Sequence, residues 1–241
     1  RRIALLAAFV IATATTLVYR AQTSDGWSFA DYQNQKLTWI KCGGPFLCTD
    51  LTVPVNYGKP GGERMQLSLV KYPATDKKKR LGSLFVNPGG PGASGVEYAY
   101  AAEYIVSKKI LSSYDLIGFD PRGVGGSSAE RCLSNSETDK LVEANGPAVD
   151  GLSFSQLEES SKLLATRCLE KLGERLKFLG SIDVVRDMDL MRQVFGEEKL
   201  NYLGKSYGTY LGLVYTSMFP KNVGRFVLDG VVDPNLSANE L

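Results

Sequence analysis

The sequence predicts an α/β protein built on a mostly parallel, doubly wound sheet. Two observations carry that prediction. Short apolar runs that read as strands alternate with longer segments of helical periodicity, and three glycine-rich turns each follow a strand-like run. Sheets of this kind place their ligands at the carboxyl ends of the strands. The 241 residues, 44% hydrophobic and 22% charged, suffice for one large domain or two small ones. A formal charge of +2 gives no electrostatic footprint for nucleic acid. The densest basic run, Lys77-Lys78-Lys79-Arg80, lies between two strand-like segments and reads as a solvated turn.

Taken in order, the chain opens with Arg1-Arg2, the apolar run IALLAAFVI and an A-x-A site at Ala12-Thr13-Ala14. A basic start, a short apolar stretch and a small-residue site are the parts of a secretory signal peptide. The apolar stretch extends to Tyr19, about 17 residues and the lower limit of a span, so residues 1–22 read as a signal peptide or a short membrane anchor. An extracytoplasmic protein follows, secreted or held by that anchor. Residues 26–50 read as an irregular lead-in clipped by a disulfide. Four cysteines permit three pairings. Cys42 and Cys48 flank the tight KCGGPFLCTD bend, which favours 42–48 and leaves Cys132 with Cys168. Metal binding needs C-x-x-C or nearby histidines, and neither is present.

MQLSLVKY (65–72) alternates with period two, as a half-exposed strand does. GSLFVN (82–87) and YDLIGFD (114–120) are short apolar runs ending in Gly/Pro turns, the pattern of buried parallel strands. A helical pattern spans 153–173 through Leu157, Leu164, Cys168 and Leu172. Another runs from Ser181 to the glycine stop at Gly196, with Val185, Met188, Met191 and Phe195 on one apolar face. Those methionines read as core filler. KLNYLG, a helix through Met218 and the strand-like RFVLDGVV (225–232) complete the alternation.

Three turns can carry chemistry. The first is G-K-S-Y-G, 204–208, between a strand and a helix. A G-x-S-x-G sequence in that context forces so sharp a reversal that the serine, here Ser206, takes a strained backbone at a helix N-terminus. The flanking glycines are needed because side chains would collide across the turn. The second is VNPGGPGASG, 86–95, whose glycines allow close backbone approach and whose prolines stiffen the loop. It is positioned to offer an N–H from Gly89 or Gly90 to a developing oxyanion, with the Tyr207 N–H opposite. No G-K-[ST] follows, which excludes a phosphate loop, and no other cofactor pattern is present. The third is DPRGVGGSS, 120–128, in which Asp120 and Arg122 read as an ion pair locking a turn beneath the site.

The stretches NPGGPGASG, GFDPRGVGGSS and GKSYGTYLG, followed by FPKNVGRFVLDGVVDP, resemble the α/β-hydrolase family that contains prolyl iminopeptidases and the secreted tripeptidyl aminopeptidases of actinomycetes. The tripeptidyl branch is the closer one, because prolyl iminopeptidases usually carry His-Gly-Gly-Pro-Gly where this chain has Asn87-Pro88-Gly89-Gly90-Pro91-Gly92. The likeness runs from about Leu37 to Leu241. It implies the α/β-hydrolase fold and a serine exopeptidase releasing short peptides, tripeptides above all, from free N-termini through an acyl-enzyme on Ser206. It also implies that residues 23–241 are the N-terminal part of the domain, ending before a cap and the last strands.

The chain contains no histidine. In this family the triad order is Ser, then Asp or Glu, then His, so both partners of Ser206 would follow it. The expectation is therefore a fragment, catalytically crippled alone, whose acid, base and cap lie in a missing C-terminal half. Lys205 is a rival base, but it adjoins the serine on the turn and should point away. Asp229 and Asp233 follow the last strand and read as structural. A non-catalytic binding protein of the same fold, or an esterase or lipase, remain the competing expectations.

Overall fold

A computed structural model describes residues 26–127, 131–144 and 154–235. The signal-peptide or anchor segment lies outside them. Among the described residues, no helix is long and apolar enough to cross a membrane.

Seven strands form one mixed sheet: β1 (Ile40–Lys41), β2 (Leu47–Pro54), β3 (Arg64–Tyr72), β4 (Gly82–Asn87), β5 (Tyr114–Phe119), β6 (Leu200–Lys205) and β7 (Val223–Asp229). Their spatial order is β1-β2-β3-β5-β4-β6-β7. The β5-β4-β6-β7 half is parallel, and β1, β2 and β3 join it as an antiparallel arm. The strands expected at 65–72, 82–87 and 114–120 are all present. The lead-in is more regular than expected. It contains a short helix, α1 (Phe29–Asn34), and the eight-residue β2. Just beyond the lead-in, Leu51 and Val53 of β2 are fully buried and alternate with Asp50 and Thr52, the period-two pattern of a half-exposed strand.

Helices cover both faces. Side chains alternate across the parallel strands, so Phe85, Ile117 and Tyr202 point to one core while Val86, Leu116 and Leu203 point to the other. The first core is closed by α1, α7 (Ser181–Val194) and α8 (Tyr207–Met218). The second is closed by three short helices, α2 (Gly95–Tyr100), α3 (Ala102–Ile105) and α4 (Lys108–Ser113). The face expected for α7 is the buried one: Val185, Met188 and Met191 lie inside, with Phe195 packed against them. Two more helices, α5 (Asn135–Ala144) and α6 (Phe154–Leu172), lie between β5 and α7. On α6 only the C-terminal end behaves as the periodicity suggests. Leu172 is buried, whereas Leu164 is exposed and the Leu157 side chain lies outside the described residues.

Both expected disulfides form, Cys42–Cys48 across the bend between β1 and β2 and Cys132–Cys168 from the segment before α5 to α6.

Candidate active site

The carboxyl ends of β4, β5, β6 and β7 lie along one edge of the parallel half, and all three glycine-rich turns leave from that edge. In register, Asn87 of β4 faces Gly204 of β6, and Lys205 faces Asp229 of β7.

Ser206 stands between β6 and α8 with φ 51° and ψ −124°. Among the described residues it is the one non-glycine with positive φ. Such a backbone costs on the order of 1–3 kcal/mol and persists only where its surroundings hold it. Here they do. The Ser206 N–H donates to the Asp229 carbonyl at 2.9 Å, and the Ser206 carbonyl accepts from the Thr209 N–H at 2.8 Å and the Thr209 hydroxyl at 2.6 Å. Thr209 in turn accepts from the Val232 N–H at 2.8 Å. From beneath, the buried Tyr202 hydroxyl donates to the Gly208 carbonyl at 2.8 Å. The glycines are required as expected: a Cβ at Gly204 would lie 2.5 Å from the Gly208 carbonyl oxygen. The outcome is an exposed serine side chain lifted to the rim of the sheet at the start of a 12-residue helix, where the dipole favours negative charge.

The loop after β4 lies directly against this turn. A Cβ at Gly89 would stand 2.9 Å from the Tyr207 amide nitrogen and 3.1 Å from the Ser206 Cβ, and closer still to the Lys205 carbonyl. With φ at +96°, Gly89 is confined to glycine on both counts. Its own N–H is already used, donating to Asn87 Oδ1 at 2.9 Å. Gly90 and Tyr207 have no such partner for their N–H groups among the described residues. The Tyr207 side chain leans the other way, its hydroxyl 2.6 Å from Ser181 Oγ and its ring stacked on Tyr210.

Lys205 does point away. Its ammonium pairs with the Asp229 carboxylate at 3.2 Å, and that hydrogen bond, with nearby Tyr98, raises its pKa above the ordinary lysine value. A group held protonated in this way takes no proton from Ser206. Asp233 accepts from the Asn235 backbone and side chain at 2.9 Å.

The expected Asp120–Arg122 ion pair does not form. Residues two apart in a tight turn project to different sides, and each finds a different partner. Asp120 organises the turn edge, accepting from Ser94 Oγ at 2.6 Å, the Val96 N–H at 3.1 Å and the Gly126 N–H at 2.9 Å. Because Ser94 is the N-cap of α2, the carboxylate ties the glycine loop to the loop after β5. Arg122 is fully enclosed and grips Asp187 of α7 with two bonds of 2.6 and 2.7 Å. It also donates to the carbonyls of Pro54, Val55 and Phe178. Burial pushes the Asp187 carboxyl up, and Arg122 and Tyr57 pull it back towards ionisation. Removing one member of so enclosed a pair costs about 3–5 kcal/mol.

Among the described residues, no three acidic, cysteine or histidine side chains gather as a metal site. Sequence reasoning missed Asn87, Thr209 and the Asp229 carbonyl. The first two lay inside motifs already singled out, but contacts across the sheet leave no local signature.

The alpha/beta hydrolase fold model matches residues 82–241. The chain is 40% identical over 198 residues to serine protease Hip1 of Mycobacterium tuberculosis, covering 81% of this chain and 38% of that protein. It is 38% identical over 208 residues to a tripeptidyl aminopeptidase of Streptomyces coelicolor, covering 83% and 38%. Carboxylesterase B of M. tuberculosis is 42% identical over 196 residues, covering 80% and 37%. The chain thus spans less than two fifths of the length of these relatives. The serine turn, the glycine loop beside it, the sheet that carries both and the family match converge: this chain belongs to the α/β-hydrolase fold family.

Proposed function

We propose that Ser206 is the nucleophile of a serine hydrolase that cleaves peptides from a free N-terminus, with tripeptides as the products. The observation that carries this is the strained, exposed Ser206 facing the Gly89-Gly90 loop. A serine at such a backbone position is costly, and presenting its hydroxyl is the use that accounts for the strain being kept. In the proposed reaction the Ser206 oxygen attacks the scissile carbonyl and loses its proton to a base. The carbonyl oxygen, now an anion, is held by the N–H groups of Gly90 and Tyr207. Collapse of the adduct expels the amine, which takes up the proton, and water releases the acyl-enzyme. These residues include no histidine, and the family's triad order puts both the acid and the histidine base after the nucleophile, so this reading takes the base from outside them.

Two relatives bearing peptidase names support the peptide reading, and one named as a carboxylesterase supports the ester alternative. The disulfides and the apolar N-terminal sequence support an extracytoplasmic location, secreted or anchored through residues 1–22. Peptides are the proposed partners and nucleic acid is not.

The test is Ser206→Ala in the natural full-length protein, assayed on an unblocked tripeptide anilide and on short acyl esters. Loss of all measurable anilide hydrolysis with an unchanged circular dichroism spectrum is expected. Unchanged turnover excludes Ser206, and preference for the esters moves the reading to an esterase.

A further inference from the structure

Asn87 lies where the two halves of the site meet. It ends β4 in register with Gly204 and is 1% exposed. Its Oδ1 takes the Gly89 N–H, and a Cβ at Gly208 would come within 2.8 Å of its carbonyl oxygen and 2.9 Å of Oδ1. The carboxamide is therefore wedged between the glycine loop and the first turn of α8. Pro88 and Pro91 have no N–H to give, and among the described residues the one loop amide from 88 to 92 that donates to a side chain is that of Gly89, to Asn87 Oδ1.

We propose that Asn87 is the positioning residue of the oxyanion site: by capturing the Gly89 amide it selects the Gly90 amide as the loop's donor and sets the loop's distance from Tyr207. The inference rests on Ser206 being the nucleophile. Two consecutive glycines at φ +96° and +107° have many alternative conformations open to them, so a loop left without this anchor spreads over several. A neutral acceptor suits the task, because a carboxylate in its place would repel the anion that forms beside it. The chemical demand is strict, since displacing an oxyanion donor by about 1 Å, or removing it, costs on the order of a hundredfold in rate.

The experiment uses the natural full-length protein and two variants. Asn87→Leu keeps the branching and bulk and removes the acceptor, and Asn87→Ala removes both. Three quantities are read: amide hydrogen exchange at Gly89, kcat and KM on the tripeptide anilide, and inhibition by a peptide boronate, which mimics the tetrahedral anion. Expected in Asn87→Leu are loss of Gly89 protection, a fall in kcat of roughly a hundredfold with KM within about twofold, and a parallel weakening of boronate inhibition. Asn87→Ala should match it in kcat even if its melting temperature is lower. Retained Gly89 protection overturns the proposal, and so does lost protection with kcat within about threefold of the parent. A parent protein that turns over the substrate after Ser206→Ala fails the nucleophile reading instead, and Gly89 exchange still reports on the Asn87 bond.

Discussion

Ser206 concentrates the strain of the site in one residue. Its position was legible because G-K-S-Y-G stands between KLNYL and a helical run, and two glycines at that spacing have few other uses. The carbonyl of Asp229 and the hydroxyl of Thr209, which hold the strained backbone, were not legible, since both contacts cross between elements distant in sequence. If the strain serves chemistry, relieving it should stabilise the fold. Ser206→Gly should unfold at a higher temperature than Ser206→Ala in the natural full-length protein, by about 1 kcal/mol, while both lack activity. Because glycine itself costs roughly 0.5–1 kcal/mol of chain entropy relative to alanine, a melting temperature of Ser206→Gly below that of Ser206→Ala would mean that the backbone is not strained. Asp120 and Arg122 teach the complementary lesson. A charged pair two residues apart reads as an ion pair, yet the arginine had five buried acceptor contacts to satisfy and found them on β2, near α7 and on α7 itself.

At the scale of elements, the core strands and the long helices were readable, whereas β1, β2 and the short helices were not. β4, β5 and β6 are apolar runs closed by glycine or proline, and burial on both faces makes such runs unambiguous. β2 was hidden because the segment carrying its disulfide looked irregular. The six-residue helix α2 was not read from the sequence, although its Ser94 N-cap, whose hydroxyl accepts the Glu97 N–H at 3.0 Å, lies at the end of the glycine loop. The seam between α7 and α8 gives a pH prediction. Burial pushes the Asp189 carboxyl up, but hydrogen bonds from Arg192, Tyr215 and Asn222 outweigh it and hold the pKa below the ordinary value. A folded pKa below the unfolded one stabilises the fold above the unfolded value, and the benefit vanishes as pH falls through the folded one. Asp189→Asn should therefore cost about 2 kcal/mol at neutral pH, with the penalty shrinking below about pH 4. A penalty that stays constant down to pH 2 would contradict the ionised, hydrogen-bonded carboxylate.

The molecule as a whole is built on a mixed α/β-hydrolase sheet of seven strands among the described residues. Among the described residues β7 is an edge strand of the sheet, and Val227 on it is 59% exposed. Ile105, Val106, Leu84 and Leu203 border the same apolar groove on that side of the sheet. An apolar parallel strand with a free edge invites pairing with other chains. The 241 residues expressed alone should therefore aggregate, as seen by light scattering during refolding. A soluble monomer that unfolds in one cooperative step would contradict this. At this scale the sequence was informative about fold and silent about specificity, because the three turns that could be read consist mainly of glycine, proline and small residues whose pattern reports backbone geometry.

The central claim is that the Ser206 hydroxyl is presented for attack beside two waiting amides. Treating the natural full-length protein with a fluorophosphonate and mapping the adduct by mass spectrometry tests it most directly. One adduct, on Ser206 at the head of the tryptic peptide that ends at Lys221, is predicted. An adduct on another serine, or none in a preparation that still hydrolyses substrate, would contradict it.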